Sequence, residues 1–202
     1  MLKHWRPRFL IMAVSTSYLP LWVWVLPTAI LTLAALTARG VDAELIVSGR
    51  LRWTPNAAET RAQAQALVSR LGLGERVEFA GPYTQTDAPA LFRRADVVLH
   101  TKYNDPCPSV VIEALSCGRP VVYSKSGGVP ELVGDEGGIG IDVELSWERD
   151  IAPNPESLAE GICRTRRDLA SYGAAARARA VSCFDVQRWI ARHRTVMEEL
   201  VA

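Results

Sequence analysis

Residues 96–131 read DVVLHTKYNDPCPSVVIEALSCGRPVVYSKSGGVPE, and the way this stretch is punctuated decides the fold. A short apolar run at 96–100 gives way to a polar loop from Thr101 to Pro108. Residues 109–117 have helical spacing and stop at Gly118, a residue suited to the left-handed turn after a helix. Residues 120–124 (PVVYS) are apolar again and too short for a helix, so they read as a strand buried on both faces. Strand, loop, helix and strand at this spacing form the repeating unit of a parallel sheet with helical crossovers.

The alternation continues in both directions. Residues 44–48 (ELIVS) and 77–80 (VEFA) read as strands, 56–71 as a helix stopped by Gly72, and 87–94 as a short helix. Beyond the quoted stretch, 130–133 start a short helix and 137–141 form a last brief strand. Residues 142–155 are charged and proline-containing, which marks a surface loop. Residues 155–172 and 174–200 have helical composition. The expected fold is α/β, a Rossmann-like doubly wound parallel sheet with helices on both faces.

Residues 9–38 carry no charge and follow the basic residues Lys3, Arg6 and Arg8, a pattern that invites a membrane-span reading. Ser15, Thr16 and Ser17 interrupt the run, and Pro20 and Pro27 are expected to break or kink a helix. The soluble alternative is a buried strand over 9–14, a loop, and a helix over about 28–37 capped by Gly40. Residues 1–40 are therefore an atypical apolar segment supplying the first strand and helix, and 41–202 the body of the domain.

Net charge is +1 with no long basic run, which argues against a nucleic-acid partner. Cys107, Cys117, Cys163 and Cys183 are widely spaced, form no CxxC pair, and have only three histidines for company, so no metal site is expected. Such thiols fit a reducing cytoplasmic compartment.

Ligands of an open parallel sheet lie at the carboxyl ends of its strands. Pro108 suits a helix start, and the amides of Ser109, Val110 and Val111 would then offer the positive helix end to a phosphate. Glu113 follows one turn later on the face of Ser109, where a carboxylate can accept two hydrogen bonds from a ribose diol. It sits among Val111, Ile112, Ala114 and Leu115, and a charge so placed needs a partner. Gly127 and Gly128 let the backbone approach a ligand closely or adopt positive φ.

The run Asp105-x7-Glu113, the segment Ala114 to Val122, and Ser126-Gly127-Gly128-Val129-Pro130-Glu131 together resemble glycosyltransferase family 4. Residues 72–81 and 90–97 match the progression of that family, and the similarity runs from about Val41 to the C-terminus. The resemblance implies the C-terminal, donor-binding half of a GT-B fold, with an N-terminal GT-B domain as its missing partner. It implies a nucleotide-diphosphate sugar as donor, retention, and neither metal nor other cofactor. The acceptor is left open among saccharides, lipids and small molecules.

By the same resemblance Asp105 lies near the donor sugar ring, Glu113 on the ribose, the Ser109 and Val110 amides on the diphosphate, and Gly81 and Pro82 at the base. Asp105 replaces the family's glutamate and shortens that arm by one methylene. The family's diphosphate-gripping Arg and Lys are missing from residues 15–22 (STSYLPLW), where Trp22 (with Trp24 just beyond) also signals an altered N-terminus. Lys102 and Arg50, at other strand ends, are the candidate substitutes. In the family the C-terminal helix region crosses toward the first domain. The spacing of Trp189, Ile190, Val196 and Leu200 instead favours packing on this domain. A donor half alone is expected to bind without turnover. The alternatives are a non-catalytic nucleotide-sugar-binding module and half of a nucleotide-sugar epimerase. Membrane association through residues 9–38 is compatible with each.

Overall fold

Six strands form a single sheet in the order β3-β2-β1-β4-β5-β6. They are β1 (Arg8–Ala13), β2 (Glu44–Gly49), β3 (Val77–Gly81), β4 (Val97–His100), β5 (Val121–Ser124) and β6 (Gly138–Ile141). The computed structural model describes residues 8–13, 25–49 and 56–201, and all its strand pairings are parallel. This is the doubly wound parallel sheet expected from the sequence. The winding direction reverses between β1 and β4, which places the ligand crevice at their carboxyl ends.

The helices are α1 (Val25–Ala38), α2 (Ala57–Arg70), α3 (Ala88–Arg93), α4 (Ser109–Ser116), α5 (Val129–Val133), α6 (Pro155–Arg167), α7 (Leu169–Cys183) and α8 (Val186–Val201). Successive strand residues point to opposite faces, so the strands feed two cores. Leu45, Val47, Val97 and Leu99 pack with α1, α2 and α6. Ile46, Val98, Val121 and Tyr123 pack with α3, α4, α5 and α7. Asn56 caps α2 by accepting from the Ala58 amide at 2.9 Å, and Asn154 caps α6 by accepting from Glu156 at 2.8 Å.

The described parts of the apolar N-terminal stretch, β1 and α1, join the sheet and the core. β1 pairs on both sides, with β2 and with β4. Ile30, Leu33 and Leu36 of α1 are fully buried, and Gly40 closes the helix at φ 71 with the Val41 amide donating to the Leu36 carbonyl. α1 starts earlier than expected and contains Pro27 in its first turn. No break results, because the first amides of a helix have no intrahelical acceptor to lose. Among the described residues no helix is long and apolar enough to cross a membrane. The loop 15–22, Trp22, Trp24 and Arg50 lie outside the described residues.

The C-terminal region differs from expectation. Two helices over 155–172 and 174–200 are instead three. Asp168, at φ −138 and ψ 51, ends α6 and begins α7. A second break falls at Phe184 and Asp185, where Asp185 accepts from the Arg188 amide at 3.0 Å. These turns let α7 bury Ala176 and Ala180 against α4 while α8 leaves the body. α8 buries no residue, so Trp189, Ile190, Val196 and Leu200 do not pack on this domain.

Phe92 of α3, fully buried in the core it shares with α4, is the largest such side chain among the described residues. Phe92→Ala is expected to cost about 3–5 kcal/mol in urea denaturation. A loss below about 1 kcal/mol would mean that this core relaxes around the cavity.

Candidate functional site

The crevice is built from the loops that leave β3, β4 and β5. β4 ends in His100, and residues 101–108 carry the chain to α4. Asp105 is buried in that loop, with Oδ2 3.3 Å from His100 Nε2 and 3.2 Å from Lys102 Nζ. Burial opposes its ionisation, but the His100 hydrogen bond and the charges of His100 and Lys102 outweigh that penalty. Its carboxyl is held below the usual 3.8. His100 is itself buried, and its Nδ1 has no hydrogen-bond partner among the described residues.

The loop is fixed from three directions. Asn104 adopts φ 48 and its amide donates to Ser126 Oγ at 3.0 Å. The buried Tyr103 hydroxyl accepts from the Ser146 amide at 2.6 Å and lies 3.0 Å from the Glu144 carbonyl oxygen, to which it can donate. That bond ties the irregular stretch after β6 to the crevice, where the sequence placed only a surface loop. The Gly128 amide donates to the Asp105 carbonyl at 3.0 Å. A Cβ on Gly127 would sit 2.5 Å from the Asp105 carbonyl oxygen, and one on Gly128 would strike the Pro106 carbonyl. Gly127 does adopt positive φ, at 61°. The glycine pair thus permits a close approach to the Asp105–Pro106 backbone.

α4 starts at Ser109 with Pro108 as N-cap, and no side chain caps it. The Val111 amide is already spent on the Pro108 carbonyl at 3.1 Å, contrary to its expected freedom. The amides left at the helix start are those of Ser109, which is exposed, and Val110. Glu113 is half-buried one turn along and does have a partner: the Tyr83 hydroxyl donates to Oε2 at 2.8 Å. Tyr83 comes from the loop after β3, where Gly81 takes φ 77 and Pro82 is exposed. Ser48 Oγ donates to the Gly81 carbonyl at 2.7 Å, so that carbonyl already has a protein donor.

The structure thus brings Gly81, Pro82, Lys102, Asp105, Ser109, Val110 and Glu113 to the carboxyl edge of the sheet. Sequence reasoning missed His100, Tyr83, Tyr103 and Ser126. A histidine closing an otherwise apolar strand was a readable signal, since a polar side chain there must face the crevice or be paired. The tyrosine contacts span gaps without periodicity and left no such signal.

A family model described as "Glycosyl transferases group 1" matches residues 26–167. A D-inositol 3-phosphate glycosyltransferase of Salinispora tropica is 40% identical over 112 residues, covering 51% of this chain and 23% of that protein. Its Mycobacterium tuberculosis namesake is 42% identical over 69 residues, 34% of this chain and 14% of that protein. Among solved structures, sucrose-phosphate synthase (tll1590) of Thermosynechococcus elongatus superposes at TM-score 0.72 with 26% identity, over 97% of this chain and 46% of its own. Anabaena Alr3699/HepE in complex with UDP superposes at 0.73 with 26% identity, over 97% and 49%. The chain therefore spans about half the length of these solved relatives, and its alignments cover less than a quarter of the curated ones.

Two outcomes test this geometry. Gly128→Ala should destabilise the chain by about 2–3 kcal/mol or more, because backbone must move; a neutral result in chemical denaturation would contradict the close approach. The lowered Asp105 value means its ion pairing stabilises fully above pH 3.8 and is lost as pH falls below that through the folded value. Asp105→Asn should cost about 1–3 kcal/mol at neutral pH and progressively less below pH 3.8. A cost that does not vary with pH would refute the pairing.

Proposed function

The chain belongs to the group 1 glycosyl transferases, and from that premise we propose that it is the nucleotide-sugar-binding half of a family 4 enzyme. One observation carries the reading. The uncapped start of α4, Glu113 one turn further on, and Asp105 in the preceding loop all lie at the carboxyl edge of the sheet. That is the order diphosphate, ribose and sugar would need along one helix end.

In this reading the Ser109 and Val110 amides take the diphosphate, where the helix dipole favours negative charge. Lys102 adds a cation beside them, held at 3.2 Å by Asp105. Glu113 accepts the ribose hydroxyls, and the Gly81–Pro82 turn borders the base. Asp105 faces the donor sugar. Electrostatic stabilisation of the departing nucleoside diphosphate by amides and cation is the catalytic contribution of this half, without a metal. The bound UDP of Alr3699/HepE supports uridine diphosphate as the first ligand to try.

Transfer would need a companion half that supplies the acceptor site. Support comes from the share of the solved relatives that the chain spans and from the unburied α8, whose Trp189, Ile190, Val196, Met197 and Leu200 are all exposed. That apolar face would dock on the companion. A non-catalytic binding module is the second reading, favoured by the absence of Arg and Lys from residues 15–22.

Calorimetric titration with UDP, GDP, ADP and their sugars should give micromolar-to-millimolar binding of at least one. Glu113→Ala should weaken it about tenfold. No binding across the panel would refute the donor site. The chain alone should transfer no sugar, and transfer to simple acceptors would remove the need for a companion.

A further inference from the structure

Tyr83 lies two residues beyond Gly81 yet reaches α4, where its hydroxyl donates to Glu113 Oε2 at 2.8 Å. Its ring stands edge-on to Phe92, with centroids 6.3 Å apart and planes at 90°. Phe92 is fully buried, so the ring is braced against a part of the core that does not yield. At the other end of the loop, Ser48 pins the Gly81 carbonyl. The tyrosine is therefore braced at its ring, the loop that carries it is pinned two residues earlier, and the carboxylate it touches inherits that placement.

Glu113 would otherwise be a flexible side chain on a short helix. The bond from Tyr83 occupies Oε2, while Oε1 accepts no hydrogen bond from the described residues. An ionised carboxylate has lone pairs on both oxygens and can still receive a vicinal diol through Oε1 and the outer side of Oε2. Burial and the Glu113 charge push the Tyr83 hydroxyl above its usual 10.0, so at neutral pH it remains a donor.

We propose that Tyr83 is a positioning residue for ribose recognition: it fixes Glu113 in the orientation that receives the diol and ties the base-side loop to the ribose contact. This rests on the reading of Glu113 as the ribose acceptor. Base and ribose are then read by one braced unit, so a nucleotide that shifts the loop also shifts the carboxylate. Tyr83 acts through Glu113 and need not touch the ligand itself.

The test compares UDP, 2′-deoxy-UDP, 3′-deoxy-UDP and pyrophosphate by calorimetry on the full chain, for wild type, Tyr83→Phe and Glu113→Gln. Wild type should prefer UDP over either deoxy analogue by about tenfold, and Tyr83→Phe should reduce that preference to about twofold. Pyrophosphate binding should be the same in wild type and Tyr83→Phe, because the α4 amides are untouched. A Tyr83→Phe protein that keeps the full ribose preference would overturn the inference while leaving Glu113 in place. Equal loss of pyrophosphate binding would also overturn it, by showing a merely structural role. A wild type that does not distinguish UDP from its deoxy analogues would refute the Glu113 reading itself. Glu113→Gln should fall in line with Tyr83→Phe; full ribose preference in that variant would refute the same reading.

Discussion

The loop between β4 and α4 is held by backbone meeting backbone. The Gly128 amide donates to the Asp105 carbonyl at 3.0 Å, and neither Gly127 nor Gly128 has room for a Cβ. Everything proposed for the crevice hangs from this approach. It sets where Asp105 turns inward, where Pro108 hands the chain to α4, and so where the Ser109 and Val110 amides lie. A side chain at either glycine would push the β5–α5 connection away and release the loop. Ser126 and Ser124, hydrogen-bonded to each other at 3.1 Å, brace the same junction from the end of β5.

Charge in the crevice is handled by pairing. The buried Asp105 is surrounded by His100 and Lys102, and Glu113 by the Tyr83 hydroxyl. Asp105 meets donors within five residues of itself and Glu113 one 30 residues away, and each contact offsets the cost of taking charge out of water. The arrangement also bears on Asp105, the residue that the sequence resemblance would put in place of a glutamate. Its shorter arm is turned toward His100 and Lys102, so Lys102 and Asp105 present themselves to a ligand as a pair rather than as independent charges.

Much of the fold was legible because buried parallel strands are short apolar runs and their helices end in glycine. The runs at Leu45–Val47 and Val97–Leu99 and the stop at Gly118 needed no tertiary information. The breaks at Asp168 and Phe184 were not legible: no glycine or proline marks them, and tertiary packing of α7 against α4 decides where the helix turns. The apolar face of α8 was visible in the spacing, but periodicity states only that a face exists and not what covers it. The site divides in the same way. Glu113 announced itself as a carboxylate in an apolar helix, whereas Tyr83 is 30 residues away in sequence and follows no pattern. The glycine pair was read as allowing close approach to a ligand or positive φ; the positive φ is found at Gly127, and the packing of both glycines against the Asp105–Pro106 backbone had no signal in the sequence.

The central claim is that the nucleotide lies across the loop after β3 and the start of α4. Amide chemical-shift mapping of the chain titrated with UDP tests it most directly. The account predicts that the largest shifts fall at Gly81, Tyr83, Ser109, Val110 and Glu113. Shifts concentrated instead in the groove lined by Asp135, Glu136 and Arg179, with the α4 amides unmoved, would contradict it.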